Sequence, residues 1–175
     1  TMLPTGALFL TRSALTRWSK FERNTIAGKP MFNQDFKEFI QSLNDNQVRY
    51  LVVGGYAVAL HGYPRYTKDI DIWIDLSSAN AARVISPLKQ FGFGSLGLKE
   101  QDFLEEDTII QLGNPPRRID LLTTLPGVEF EPCFVEKVVV DMDGLPVNFI
   151  DLDNLKKNKL ATGRAQDIAD IENLA

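Results

Sequence analysis

The stretch YLVVGGYAVALHGYPRYTKDIDIWID, which covers residues 50–75, decides the fold that this sequence predicts. The apolar run LVV at residues 51–53 is typical of a strand, and it ends abruptly at Gly54-Gly55. A short apolar helical pattern follows, then a turn at Pro64 and a second strand-like run, DIDIWI. The pattern therefore predicts a strand, a glycine turn, a helix and a second strand that carries two carboxylates.

The two aspartates occupy alternate positions of the second strand. Because side chains alternate between the faces of a strand, Asp69 and Asp71 point the same way, roughly 6–7 Å apart. Ile70 and Ile72 then face the core. Neighbouring carboxylates repel, and each tends to raise the pKa of the other. A divalent cation offsets this repulsion, and hard oxygen ligands suit Mg²⁺ or Mn²⁺ shared with substrate phosphates.

Gly54 and Gly55 have the properties that a phosphate-binding turn needs. Glycine has no Cβ, adopts positive φ freely and leaves backbone N–H groups open at the start of a helix. The turn therefore predicts a phosphate cradle one helix away from Asp69 and Asp71. Each motif alone has a plainer explanation, a tight turn for the glycines and a solvated sheet edge for the aspartates. Their ordered combination favours a phosphate and metal site.

The order of these motifs resembles the DNA polymerase beta-type nucleotidyltransferase superfamily. The resemblance rests on the Gly54-Gly55 turn, the spacer of residues 56–68, the run Asp69-Ile70-Asp71 and a third acid on a later strand. It covers roughly residues 33–175. The TKDID run and the end of the chain resemble the AbiEii-type toxin and minimal nucleotidyltransferase branch. The resemblance implies an α/β fold, or α+β in some schemes, with a small mixed β-sheet flanked by helices.

The same resemblance implies an enzyme of the EC 2.7.7 type. It would move a nucleoside monophosphate from an NTP, such as ATP, to an acceptor hydroxyl, with Mg²⁺ or Mn²⁺ as cofactor. The acceptor stays open among tRNA (as for toxins of this branch), a protein hydroxyl and a small molecule. A cognate antitoxin is an expected partner, and the chain is expected to be a monomer or homodimer. The alternatives are a non-catalytic nucleotide- or partner-binding module that kept the fold and a plain interaction protein.

The third acid is Asp120, which interrupts an apolar strand predicted over residues 118–122. A carboxylate in such a run needs a partner, and the metal predicted above is the economical one. The resemblance implies that this acid helps to hold the catalytic metal and acts as base towards the acceptor hydroxyl. The alternative partner for Asp120 is Arg117 or Arg118.

Further charged residues are candidate nucleotide contacts. Arg65 and Lys68 flank the carboxylate strand. The end of the chain resembles the C-terminal motif of the AbiEii-type branch, in which a lysine and a carboxylate face the nucleotide cleft. This assigns Lys159 and Asp167, with Arg164 as a weaker candidate. The alternative for all three is ordinary surface charge on an exposed pair of helices.

Composition excludes several classes of protein. A net charge of −4 and a pI of about 5.0 argue against a protein that coats nucleic acid non-specifically. A single cysteine, Cys133, excludes an internal disulfide and a cysteine-based zinc site, and it is interpreted as a small buried residue. This usage is consistent with a cytoplasmic location. No run of 18 apolar residues exists to span a membrane. The only histidine, His61, is interpreted as a helix-end or surface residue.

The chain divides by composition. Residues 1–30 carry five basic residues and a single acid, Glu22, so they are predicted to be an extension outside the native catalytic unit. Residues 31–175 are predicted to form the nucleotidyltransferase domain with a short helical C-terminal end. The predicted elements are helices over 33–46 and about 79–90, strands over 49–53, 108–112 and 118–122, a connector over 129–133, a hairpin of 138–141 and 145–150 about Asp143-Gly144, and two terminal helices separated at Gly163.

Overall fold

The computed structural model describes residues 8–9 and 32–174, and its strands form one mixed sheet. The sheet order is β1-β6-β7-β2-β3-β5-β4. The predicted α/β fold, a mixed sheet flanked by helices, is confirmed. The described strands are β1 (Leu8–Phe9), β2 (Tyr50–Val53), β3 (Ile70–Ile74), β4 (Ile109–Leu112), β5 (Ile119–Leu122), β6 (Val138–Met142) and β7 (Leu145–Phe149). The described α-helices are α1 (Gln34–Asp45), α2 (Gly54–Leu60), α3 (Ser78–Gln90), α4 (Phe130–Val135), α5 (Leu152–Thr162) and α6 (Ala165–Asn173).

Helix α1 forms as its sequence predicts. The side chain of Asn33 accepts a hydrogen bond of 2.8 Å from the N–H of Phe36, which satisfies an N–H group that the first turn leaves open. Phe36, Phe39, Ile40 and Leu43 recur at helical spacing, and all four are buried. The helix therefore covers the sheet with a single apolar stripe.

Strand β2 is the centre of the sheet. It pairs in parallel with β7 and antiparallel with β3, and each of its four residues is buried. A strand that is covered on both faces reads as a continuous apolar run, which explains the run of residues 50–53. At its end the chain enters α2 directly through Gly54, whose φ is +65°.

The pairing of β3 with β5 determines what the site contains. The two strands are parallel, and their register places Ile70 opposite Ile119 and Asp71 opposite Asp120. Strand β4 then pairs antiparallel with β5 and forms one end of the described sheet. Two acids that are distant in sequence thereby become neighbours.

The connector predicted over residues 129–133 was wrong, because the chain forms α4 there. The rings of Phe130 and Phe134 stack at 5.5 Å, and the guanidinium of Arg49 lies 4.5 Å from the centre of the Phe134 ring. These contacts come from a distant part of the chain, and they stabilise a helix that is too short to be stable alone. Pro87 lies inside α3 and does not end it.

The predicted hairpin and the terminal helices are confirmed. Asp143 and Gly144 both have positive φ in the β6–β7 turn, and the carboxylate of Asp141 accepts the N–H of Gly144 at 2.8 Å. Asp141 and Asp143, which repeat the spacing of Asp69 and Asp71, are therefore turn residues. The side chain of Asp151 caps α5, and Gly163 ends it with a φ of +62°.

The predicted extension over residues 1–30 lies outside the described residues, apart from the backbone of β1. That strand pairs in parallel with β6 at Val138 and Val139. The domain boundary at residue 31 stays a prediction. Within the part of the chain that the structure describes, no helix is both long and apolar enough to span a membrane.

Candidate functional site

The structure brings the three predicted carboxylates to the adjoining strands β3 and β5. Asp71 and Asp120 occupy paired positions of the parallel ladder. Asp69 lies immediately before β3, where the N–H of Ile70 donates a 3.1 Å hydrogen bond to the carbonyl of Arg118. Each strand, together with the residue before it, therefore presents two polar side chains at alternate positions on the same face. These are Asp69 and Asp71 for β3 and Arg118 and Asp120 for β5.

Asp71 is the most perturbed acid of this group. Burial and the negative charges of Asp120 and Asp69 raise the pKa of Asp71 to about 6, against the opposing effects of Lys159 and Arg118. A carboxylate with a raised pKa is stabilised by any further positive charge at the site. Perturbed pairs of this kind are frequent at functional sites.

Arg118 supplies positive charge to the other two acids. Its Nε and Nη2 donate to the two carboxylate oxygens of Asp120 at 2.8 and 3.0 Å. The same Nη2 lies 2.9 Å from Oδ2 of Asp69. The ion pair that the sequence offered as an alternative for Asp120 is therefore present, and it extends to a second acid. Oδ1 of Asp69 is buried and has no hydrogen-bond partner among the described residues.

The carboxylate group provides oxygen donors of the kind that a divalent cation needs. In residues 32–174, no three His, Cys, Asp or Glu side chains are grouped closely enough to hold a metal ion. Mg²⁺ is usually bound by one or two carboxylates together with substrate phosphates, so the donors fit Mg²⁺ or Mn²⁺ without a closed group of three. Asp71 and Asp120 are neighbours in the ladder, and Oδ1 of Asp69 has no hydrogen-bond partner within the part of the chain that the structure describes. In this conformation two of the three are held by Arg118.

The glycine turn packs directly against this group. A Cβ built on Gly54 would lie 2.1 Å from Oδ2 of Asp71, and one built on Gly55 would lie 2.8 Å from Oγ1 of Thr67. A side chain at Gly54 would therefore displace the Asp71 carboxylate, and one at Gly55 would force Thr67 to shift. Glycine at residue 54 is required twice, for its positive φ and for this close approach.

Replacing Gly54 with alanine tests that requirement. We expect G54A to lower the free energy of unfolding by about 2–4 kcal/mol, since a left-handed residue costs about 1–2 kcal/mol and the overlap with Asp71 adds a similar amount. Urea unfolding at pH 8 measures the change. The matched control is G97A, because Gly97 has a φ of +67° and no atom within 4 Å of an added Cβ. Equal costs for both variants would contradict a specific contact with Asp71.

The C-terminal candidates belong to a buried ion cluster. Nζ of Lys159, which is 4% exposed, lies 3.0 Å from carboxylate oxygens of both Asp167 and Asp170. Arg65 binds Asp170 through Nε at 2.9 Å and Nη2 at 3.1 Å. Arg164 binds Asp167 through Nε at 2.8 Å. We call these five residues the ion cluster.

The ion cluster changes the interpretation of Lys159 and Asp167. Both were expected to face a nucleotide cleft, but both are buried and bind each other. Burial acts to raise the pKa of Asp167, yet hydrogen bonds from Arg164, Lys159 and Thr162 outweigh it and hold that pKa well below its usual range. Lys159 also lowers the pKa of Asp71, so its charge reaches the carboxylate group.

The other basic candidates differ in exposure. The side chain of Arg164 is 75% exposed, and Lys68 is exposed in the loop before β3. Arg65 is half-buried, and one of its nitrogens lies 3.4 Å from a Cβ built on Gly55. Arg65 therefore links the glycine turn to Asp170 of α6.

Two residues outside the predicted site contribute to it. The sequence offers Arg118 only as a neutralising partner of Asp120, and it predicts no contact for Asp170. The sequence contains a sign of each: Arg118 precedes Asp120 by two positions, which places both on one face of a strand, and Asp170 follows Asp167 by three, which places both on one side of a helix.

Two plainer interpretations are confirmed. His61 ends α2, and its Nε2 lies 2.7 Å from the carbonyl oxygen of Ile150. Cys133 is buried within α4, where burial raises the pKa of its thiol to about 12. Neither side chain belongs to the carboxylate group.

Comparison with known protein families identifies the chain. Residues 32–175 match a family model described as "Nucleotidyltransferase of unknown function (DUF6036)". This range includes the glycine turn, the three carboxylates and the whole ion cluster. No curated protein matches the chain. The resemblance to the AbiEii-type branch stays a prediction. Since the family model spans most of the sequence, the chain belongs to this family of nucleotidyltransferases.

Proposed function

We propose that the protein transfers a nucleoside monophosphate from an NTP to an acceptor hydroxyl and releases pyrophosphate. The observation that supports this most directly is the parallel register of β3 and β5, which pairs Asp71 with Asp120, two residues along the chain from Asp69. The glycine turn supports it further, since Gly54 lies against Oδ2 of Asp71. Three carboxylates beside a turn without side chains suit a triphosphate and its counter-ions.

The carboxylates would hold the cofactor. Asp69, Asp71 and Asp120 would bind one or two Mg²⁺ or Mn²⁺ ions, which when bound neutralise the triphosphate and lower the pKa of the acceptor hydroxyl. In the transfer itself, the acceptor oxygen forms a bond to the α-phosphorus in line with the bond that breaks towards the β-phosphate. Asp120 accepts the hydroxyl proton, and pyrophosphate leaves.

The glycine turn and the basic residues would orient the nucleotide. Gly54 and Gly55 let the β- and γ-phosphates approach the backbone without meeting a side chain. The exposed side chains of Lys68 and Arg164 add positive charge for those phosphates. Arg65 positions the turn through its bidentate bond to Asp170. Lys159 and Asp167 act as positioning residues, because Lys159 binds both Asp167 and the Asp170 carboxylate that holds Arg65.

The acceptor is proposed as a hydroxyl of tRNA, with a protein hydroxyl and a small molecule as competing classes. The acidic pI of about 5.0 favours a short contact with an RNA end over a long RNA interface. A cognate antitoxin and a cytoplasmic location complete the proposal. Each acceptor class predicts a different labelled product.

Pyrophosphate release tests the function directly. It is measured with each of the four NTPs and Mg²⁺ or Mn²⁺, with and without bulk tRNA. We expect one NTP to give release in the wild type and D69N/D71N to lower the rate by at least about 100-fold, since each such group contributes several kcal/mol to the transition state. The NTP and the acceptor arm that give activity name the substrates.

The matched control is D141N/D143N, which removes two aspartates of the same spacing from the β6–β7 turn. It should keep the wild-type rate. If NTP binds in the presence of Mg²⁺ but no product forms, the protein is a non-catalytic nucleotide-binding module rather than an enzyme. The absence of both pyrophosphate release and NTP binding under every condition would overturn the proposal.

A further inference from the structure

Arg118 is held where the carboxylates of β3 and β5 converge. Its backbone carbonyl accepts the N–H of Ile70, which fixes the start of β5 against the start of β3. Its guanidinium then binds both oxygens of Asp120 and Oδ2 of Asp69. One cation thus bridges two acids from two strands, as a shared metal ion would.

Arg118 leaves the charge of this group incomplete. Its guanidinium binds Asp69 and Asp120 but acts on Asp71 only through its charge, and Oδ1 of Asp69 stays buried without a hydrogen-bond partner among the described residues. A guanidinium donates only through hydrogens that lie in one plane, so it gives no hydrogen bond to a carboxylate above or below that plane. A divalent cation carries twice its charge and accepts oxygen ligands from every side.

The side chain of Arg118 can also rotate away from the carboxylates into solvent. It is 26% exposed, and residues 113–117 before it are exposed as well. The backbone hydrogen bond to Ile70 keeps the strand in place while the long side chain rotates into water. The neighbouring Arg117 shows the solvent-facing alternative, since its side chain is 68% exposed.

We propose that Arg118 is an internal cation that occupies the metal position, so that Mg²⁺ or Mn²⁺ binds only as its guanidinium leaves Asp69 and Asp120. This inference rests on the proposed function, because that function supplies the metal. It adds that in the metal-free protein Arg118 keeps Asp69 and Asp120 paired. Once released, the Arg118 guanidinium can bind phosphates of the triphosphate or of the acceptor, because its planar fork of donors matches phosphate oxygens.

The experiment measures metal binding itself. Mn²⁺ alone is titrated into the full chain, and free Mn²⁺ is read from its electron paramagnetic resonance signal. We expect R118Q to bind Mn²⁺ about tenfold or more tightly than the wild type, because a charge-assisted contact that opposes binding has been removed. R117Q is the matched control, since it removes the same charge at the neighbouring residue. Arg117 pairs with Asp35 at 3.3 Å and not with the carboxylate group. R117Q should stay within about threefold of the wild type.

R118K keeps the test decisive if R118Q folds poorly. A lysine keeps the charge but lacks the fork that spans Asp69 and Asp120, so its affinity for Mn²⁺ should fall between those of R118Q and the wild type. Equal or weaker Mn²⁺ binding by both variants would overturn the inference and show that Arg118 aligns the ligands. Binding in the wild type but no gain in the variants leaves the proposed function intact. If neither the wild type nor any variant binds Mn²⁺, both the inference about Arg118 and the proposed function are overturned.

Nuclear magnetic resonance of the arginine side chains gives a second readout. In protein labelled with ¹⁵N-arginine, Mg²⁺ should shift the Nε–H signal of Arg118 towards that of a solvated arginine and leave the Arg117 signal unchanged. The Nε–H signal that is missing from the spectrum of R118K is assigned to Arg118. Saturating Mg²⁺ that leaves the Arg118 signal in place would contradict displacement.

Discussion

Replacing Asp71 with asparagine is expected to remove nucleotidyl transfer and to make the metal-free protein more stable. Transfer should fall by at least about 100-fold, because the group that would hold the metal loses its charge. The free energy of unfolding at pH 8 should rise by about 1–3 kcal/mol. The gain arises because burial, Asp120 and Asp69 raise the pKa of Asp71 to about 6, so the folded protein holds this charge at a cost.

The pH dependence gives the sign of this effect. The folded protein binds the Asp71 proton more tightly than the unfolded chain, whose pKa is near 3.8. As pH rises from about 4 to about 6, the unfolded chain releases that proton first, and the wild type loses stability relative to D71N. The advantage of D71N should therefore be complete above pH 6 and disappear below pH 4. Urea unfolding over this range, together with pyrophosphate release, measures both effects.

The control for this prediction is D153N, in which an exposed acid of α5 is changed in the same way. It should keep its activity and change the free energy of unfolding by less than about 0.5–1 kcal/mol. If D71N were less stable than the wild type at pH 8, Asp71 would be an acid stabilised by its neighbours, against the direction derived from burial.

Replacing Lys159 with methionine is expected to cost about 3–5 kcal/mol of the free energy of unfolding. Methionine matches the length of the lysine stem, so the change removes charge rather than volume. Asp167 and Asp170 are both fully buried, and each would lose a 3.0 Å partner. Removing one member of a buried ion network leaves uncompensated charge, which is the origin of the large cost.

The same variant should shift the activity. Lys159 lowers the pKa of Asp71, so its loss should raise that pKa further and move the acidic limb of the pH–rate profile to higher pH. The exposed Lys157 of the same helix provides the control K157M, which should alter neither property. A stability loss below about 1 kcal/mol would mean that Arg65 and Arg164 neutralise the cluster without Lys159.

Elements with local causes could be predicted from the sequence. Helix α1 has its cap at Asn33 and its apolar stripe within twelve residues, so nothing distant is needed to place it. The β6–β7 hairpin is set by the Asp143-Gly144 turn in the same way. Helix α4 could not be predicted, because Phe130 and Phe134 pack against Arg49, which lies just before β2 and far away in sequence.

The strand–glycine–helix–strand unit and the common face of Asp69 and Asp71 could be predicted without any tertiary contact. Alternation along a strand and the freedom of glycine depend only on covalent neighbours, which is why these features follow from the residues alone. Three other features arise only from packing: Asp120 pairs with Asp71, Arg118 bridges Asp69 and Asp120, and Lys159 is buried. Strand register and loss of solvent depend on groups that are far apart along the chain, and they exist only once those groups are packed together.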